Sequence, residues 1–479
     1  LLPEALTMHT SLLTAALVLA FALPAQAATP ATRIPDTALA RAARLQAQAL
    51  QDDTGWRVVQ SLTTEVGPRL AGSEADARAV AWAKATFKAL GFDKVWTEPV
   101  TFPKWERRSE SAEVLGAHAQ PLRITALGGS PGGTVEGEVV RFDSLEALQQ
   151  VPPGALAGKI AFVDVAMPRS RNGEGYGRVG AKVRGAGPSA AARAGAIGFL
   201  MRSAGTDSHR NPHTGISRFQ PGLTPIPMAA LALPDADQLA RLTTLGPTRV
   251  RLALDCGWNG EYTSYNVIGE VTGRSRPNDV VLLGAHLDSW DLGTGAIDDG
   301  AGVAITMAAA HLIARLPKEQ RPARTIRVVA FANEEQGLWG GRAYAEAHRA
   351  ELPRHQIGAE SDLGADRIYA ISANVPAYAE AAMTQIAQAL APLGIRREPP
   401  TEGCGSDLSP IHTAGMACAE LAQDASRYFD YHHTPDDTLD KIDPQALAQN
   451  VAAYVTFTYL AADAEGGFGS TIAAPAADK

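Results

Sequence analysis

Two hydrophobic periods organise this chain. From Tyr262 onward, short and nearly continuous apolar runs alternate with longer segments of helical spacing. "NVIGEV", "DVVLLGA", "TIRVVAFA", "IGAESD" and "MACAEL" read as buried strands. Between them, Ala301 to Leu316 reads as an apolar helix stopped by Pro317. Leu338 to His348, Ala377 to Leu390 and Pro444 to Ala462 read as further helices. Strands alternating with helices predict an α/β fold, with a central, mainly parallel sheet covered on both faces.

The first half is patterned differently. Ala38 to Thr64 reads as helical, with a break near Gly55. "GPRLAGS" (67–73) is a loop, and Ser73 followed by Asp76 opens a helix that runs to Leu90 and ends at Gly91. "KVWTEPVTF" then reads as a strand. Near Thr125 the composition shifts to dense Gly and Pro, with strands at "TVEGEVVRF", "GKIAFVDVA" and "AIGFLM" and a small-residue helix at Ser189 to Ala194. The Gly-rich stretch from Asn172 to Pro188 lacks phosphate-loop spacing and reads as a mobile loop. An inserted domain is expected at 125–258. It divides the main domain into an N-terminal part, 38–124, and a catalytic part, 259–463. The Gly/Ala-rich tail 464–479 is expected to be disordered.

Length and charge narrow the function. A chain of 479 residues with 46% hydrophobic residues can bury a large core. A net charge of −8 without a basic run argues against nucleic acid or an anionic membrane as partner. Ser11 to Leu23 is apolar and uncharged, too short to span a bilayer comfortably. It precedes Ala25 and Ala27 in a small-x-small pattern. That predicts an export signal at 8–27 with Met8 as the natural start, and a secreted or periplasmic protein. A buried N-terminal helix is the alternative. Export permits disulfides. Of Cys256, Cys404 and Cys418, an odd set, Cys404 with Cys418 is the preferred pair.

The chemistry-bearing residues fall at strand ends. His286 follows "VVLLGA", Glu334 and Glu335 follow "VVAFAN", and Asp362 follows "IGAES". Ligands of doubly wound folds bind at that carboxyl edge. Asp298 in "GAIDDG" and His433 in "YHHTPDDT" lie on loops able to reach it. Two imidazoles and three carboxylates form an N/O donor set suited to zinc. Two dications bring four positive charges and three carboxylates remove three. The set therefore balances with one further anion such as hydroxide, leaving a carboxylate over as base.

The order His286, Asp288, Asp298, Asp299, Glu334, Glu335, Asp362, His433 resembles the co-catalytic zinc peptidases of family M28. "GPRLAGS" and "YHHTPDDT" strengthen the match. "GKIAFVD" and "AARAGAIGFL" are similar to a protease-associated (PA) domain. The resemblance implies a zinc-exopeptidase-like mixed sheet sandwiched by helices, a β-rich PA-like insertion and two zinc ions per chain. It implies Asp298 as the bridging carboxylate, with His286 and Asp362 on one zinc and Glu335 and His433 on the other. Glu334 would be the general base and Asp288 would orient the His286 ring. A cis peptide often follows the bridging Asp, here Asp298–Asp299. His432, where some relatives carry Tyr, would donate to the oxyanion; an outward-facing loop histidine is the alternative.

Ser406, Asp407, Tyr428 and Tyr431 are weaker candidates for shaping the pocket. Arg69 is a candidate for binding a substrate carboxylate, against solvent exposure in its loop. The expected partners are small peptides, and a homodimer is left open. Amino- and carboxy-terminal end preference both stay open, as do a glutaminyl cyclase-like enzyme and a non-catalytic receptor on the same fold.

Overall fold

The computed structural model describes residues 30–400 and 403–469. The expected export signal lies outside the described residues. A 14-stranded sheet runs through the molecule. At its centre, Arg276–His286 lies parallel to both Arg324–Phe331 and His355–Glu360, and Cys418–Gln423 continues parallel beside His355–Glu360. Ile368–Asn374 and Arg249–Val271 flank this core as antiparallel neighbours. The sheet is mixed and largely parallel in its centre, as expected.

Alternation along the central strands sorts side chains into two layers. Val281, Leu283, Ile326, Val328 and Ala330 enter one core. Leu282, Val329 and Phe331 enter another on the opposite face, with Tyr344, Leu408 and Ile411. Helices Asp36–Ala49, Thr54–Ser61, Ala301–Ala314 and Pro444–Asp463 cover the first face. Trp339–Ala347 and Leu408–Thr413 cover the second. Ala301–Ala314 is apolar all round because it is buried all round.

Two long strands carry the sheet beyond this core. Lys94–Leu115 pairs antiparallel with Arg249–Val271, from Lys94 opposite Glu270 to Leu115 opposite Arg249. Gly133–Phe142 pairs with the far end of Arg249–Val271, and Lys159–Val163, Gly198–Arg202 and Met228–Leu231 follow in parallel order. Their side chains, including Phe162, Leu200 and Leu252, build a separate core with Trp105 and Trp290.

Several local expectations change. The first helical stretch breaks at Leu50–Asp53, ahead of Gly55. Gly55 instead lets its helix approach Val451, whose Cγ2 would stand 3.1 Å from an added Cβ. Ser73 does cap Glu74–Ala89, accepting from Asp76 N at 3.2 Å. The stretch read as a mobile loop holds a turn at Tyr176–Gly180 and the first half of helix Ala181–Arg193. Its small residues serve packing: a Cβ on Gly187 would stand 2.5 Å from the Phe199 ring. Strand Ile368–Asn374 and helix Leu233–Leu245 were not anticipated. The expected disordered tail begins as ordered chain: Glu465 bridges Arg33, and Phe468 is fully buried. Cys404 and Cys418 form a disulfide and Cys256 is a buried free thiol.

Candidate metal centre and active site

Each predicted ligand reaches the same edge of the sheet. His286 is the last residue of its strand. Asp298 lies in a turn that begins at Gly295, whose φ of 60° suits glycine. Asp437 holds that turn, accepting from the Ala296 and Ile297 amides at 2.7 Å each. Asp299, joined to Asp298 by a cis peptide, turns inward. It accepts from His286 N and Gly302 N at 3.0 Å, tying strand end to helix start.

The donors divide into two groups around one carboxylate. His286 Nε2 lies 3.1 Å from Asp298 Oδ1 and 3.3 Å from Asp362 Oδ1. His433 Nε2 lies 3.2 Å from Asp298 Oδ2 and 2.9 Å from Glu335 Oε2. Asp298 thus turns one oxygen to each imidazole. The far nitrogens face carbonyls: His286 Nδ1 is 3.0 Å from Asp288 O, and His433 Nδ1 is 3.1 Å from Thr214 O. Both rings therefore turn Nε2 toward the carboxylates, free to serve as a metal donor, with Nδ1 held by a backbone acceptor. The Asp288 carboxylate plays a different part from the one expected. Its Oδ1 is 3.8 Å from the ring nitrogen and accepts instead from Glu334 N at 3.1 Å.

Electrostatics favour cations here. Burial, with Asp362 and Glu335 as neighbours, pushes the Glu334 carboxyl well above its usual range. Burial raises Glu335 to about 6, against the pull of His433. Burial and Asp362 raise Glu360 to about 8. Burial also acts on Asp298, but the His286 and His433 rings hold it well below the ordinary value. Clustered buried carboxylates are costly unless paired or coordinating. Glu335 Oε1 is buried and accepts no hydrogen bond. The donor set and this orphaned oxygen fit a pair of divalent ions.

The centre opens into a cavity of about 350 Å³. Glu334, Ser406, Tyr428 and His432 line it, with Asp298, Glu335, Asp362 and His433. Burial and His433 lower His432 well below the usual imidazole value, so its ring is neutral. It stacks on His433 at 3.5 Å between centroids, with Nε2 3.6 Å from Asp298 Oδ2. Asp407 is buried behind the cavity, where its Oδ1 accepts from Gly341 N. Tyr431 is absent from the lining. Arg69 fits neither expectation. It is wholly buried and donates to the Leu287, Thr294 and Gly295 carbonyls, buckling the loop before Asp298. Three lining residues, Tyr176, Arg184 and Ile216, come from 125–258, the stretch in which the sequence predicts an insertion. They escaped sequence reasoning because the Gly-rich composition around Tyr176 and Arg184 masks a helix.

The sequence profile of Peptidase family M28 matches residues 266–458. Carboxypeptidase Q of Bos taurus is 34% identical over 411 residues, covering 84% of this chain and 84% of that protein. The crystal structure of a peptidase M28 precursor from Shewanella amazonensis SB2B is similar with a TM-score of 0.84 at 49% identity, covering 88% and 96% of the two chains. A zinc aminopeptidase from Bacillus subtilis shares the fold at 20% identity, with a TM-score of 0.60 and coverage of 84% and 93%. The chain belongs to peptidase family M28, as its motif order implied. It is accordingly an enzyme that hydrolyses peptide bonds.

Proposed function

We propose that this peptidase is an exported two-zinc exopeptidase acting on short peptides. The observation that carries the reading is the division of Asp298, with one oxygen beside His286 and Asp362 and the other beside His433 and Glu335. His286, Asp298 and Asp362 would hold one ion, and Asp298, Glu335 and His433 the other. Zinc bound there supplies Lewis acidity, acidifying water and polarising the scissile carbonyl. The chain's own residues do the rest. Glu334 takes the proton of the attacking water and returns it to the departing amine. The contact from Asp288 Oδ1 to Glu334 N fixes the base beside the ligands. Neutral His432 offers an N–H to the carbonyl oxygen as it gains charge. Export rests on the uncharged run Ser11–Leu23 and the Ala25-x-Ala27 pattern. Residues 125–258 form the PA-like insertion and roof the cavity through Tyr176, Arg184 and Ile216.

The test is metal content and hydrolysis on the same preparation. Zinc-loaded protein is expected to carry two equivalents per chain. It is also expected to cleave unblocked dipeptides and to lose activity with a chelator. One equivalent at saturation, or turnover untouched by chelator, would defeat the reading.

A further inference from the structure

His433 stands in a costly backbone conformation. Its φ is 61°, in the left-handed region that residues with a Cβ rarely adopt. Such a residue persists only where its surroundings hold it. The rings of His432 and His433 stack at 3.5 Å between centroids, so the turn that sets one imidazole sets both.

The hold comes from far away in sequence. Segment 206–214 lies along 429–433 and bonds to it at both ends. Thr206 N donates to Phe429 O at 3.0 Å, and Thr206 Oγ1 lies 2.8 Å from Asp430 Oδ1. At the other end, Thr214 N donates to His433 O at 3.1 Å, and the Thr214 carbonyl faces His433 Nδ1 at 3.1 Å. Between these contacts, His213 Nδ1 lies 2.7 Å from His432 O. A carbonyl only accepts, so that ring nitrogen carries the hydrogen.

His213 itself is held from behind. Its ring is wholly buried, and Nε2 meets Asp207 Oδ2 at 2.6 Å, with the Asp207 carboxylate buried beside it. The other Asp207 oxygen accepts from His209 N at 2.6 Å, which closes the turn that carries it. The ring lies against Gly205, where an added Cβ would stand 2.1 Å from His213 Nε2. Neither His213 nor Asp207 lines the cavity. A carboxylate behind the imidazole fixes its tautomer and its aim, and the group it aims at is the His432 carbonyl.

We propose that the buried pair Asp207–His213 positions the metal centre. By fixing the His432 carbonyl it keeps His433 in its left-handed turn, with the His433 ring directed at Asp298 and Glu335 and the His432 ring set above the cavity. Both members act through the two histidines and touch no substrate, so they are positioning residues. This rests on the two-zinc reading above.

The experiment titrates metal-free enzyme with zinc in metal buffers and measures dipeptide turnover at saturating zinc. The wild type is expected to take two ions. In His213→Leu, one of the two zinc affinities is expected to fall about 10–100-fold, with the ion beside His286 and Asp362 held as before. Its kcat at saturating zinc is expected to fall by about tenfold or more, with KM near wild type. His213→Asn places an amide nitrogen where Nδ1 stood and is expected to restore most of both losses. Gly205→Ala crowds the ring with every donor in place. It is expected to give the same pattern in milder form, and it carries the test should His213→Leu fail to fold. A pair that served the fold alone would lower the melting temperature and leave both zinc affinities and kcat of the folded enzyme unchanged. That result, or His213→Asn no better than His213→Leu, would overturn the proposal. A wild type that binds a single zinc ion, or leaves unblocked dipeptides intact, would defeat the two-zinc reading itself and this one with it.

Discussion

Glu334→Gln separates proton transfer from metal binding. The substitution keeps side-chain size and leaves the backbone anchor at Asp288 Oδ1 intact. It removes one charge from a group whose carboxyl is pushed up by burial and by Asp362, Glu335 and Asp298. A positioned base contributes roughly 10²–10⁴-fold to such a reaction. At about 1.36 kcal/mol per tenfold, that is ~3–5 kcal/mol of barrier. We expect kcat to fall by about that factor while zinc stoichiometry and KM stay near wild type. The metal-free variant is expected to be as stable as wild type or more so, because a crowded buried charge is gone. The assay measures dipeptide turnover near neutral pH, zinc by mass spectrometry and thermal unfolding without metal. Wild-type turnover at full zinc loading would refute the assignment of the base. Loss of zinc comparable to that in His433→Ala would show Glu334 to be a ligand.

Three further outcomes follow from the geometry. Asp288→Ala releases the Glu334 amide while His286 keeps its backbone acceptor, so kcat should drop by about tenfold or more with metal content largely held; parallel loss of zinc would contradict this. Gly302→Ala places a Cβ against the Ser361 carbonyl and the Asp299 carboxylate, and is expected to cost ~1–3 kcal/mol; an unchanged melting temperature would contradict the packing. His355 accepts from the Tyr344 hydroxyl at 2.8 Å, and burial, with Arg327 nearby, lowers it to about 4. An unfolded histidine takes its proton near ~6.5, so the neutral folded ring adds stability above that pH which is lost as pH falls toward about 4. The loss is on the order of 3 kcal/mol, and urea unfolding at pH 7 and 4.5 should show it in wild type and less of it in His355→Gln; identical pH slopes would refute it.

The centre is legible in the sequence because its groups fall at strand ends. His286, Glu334, Glu335 and Asp362 each follow an apolar run long enough to be a buried strand, and the carboxyl edge of such a sheet collects polar groups. The remaining features depend on contacts distant in sequence. Asp437 appears in "TPDDT" as an ordinary turn residue, yet it pins the backbone beside Asp298. Thr214 offers only a carbonyl, which no side-chain pattern reveals. Arg184 sits near Gly185, Gly187 and Pro188, whose low helix propensity conceals a helix stabilised by close packing on Phe199. Ile368–Asn374 pairs antiparallel with Cys418–Gln423, outside the parallel alternation of strand and helix that marks the other central strands.

The paired strands Lys94–Leu115 and Arg249–Val271 act as a single girder shared by both cores. A fragment trimmed to 266–458 would inherit a stub of one strand and none of the other. It would also strip Asp36–Ala49 and Thr54–Ser61 from the apolar helices Ala301–Ala314 and Pro444–Asp463. Such a piece would display a raw sheet margin and a greasy flank, both invitations to clump. The catalytic inventory is local to that span, but the architecture that keeps it soluble is not, so engineering by truncation has little room on this scaffold.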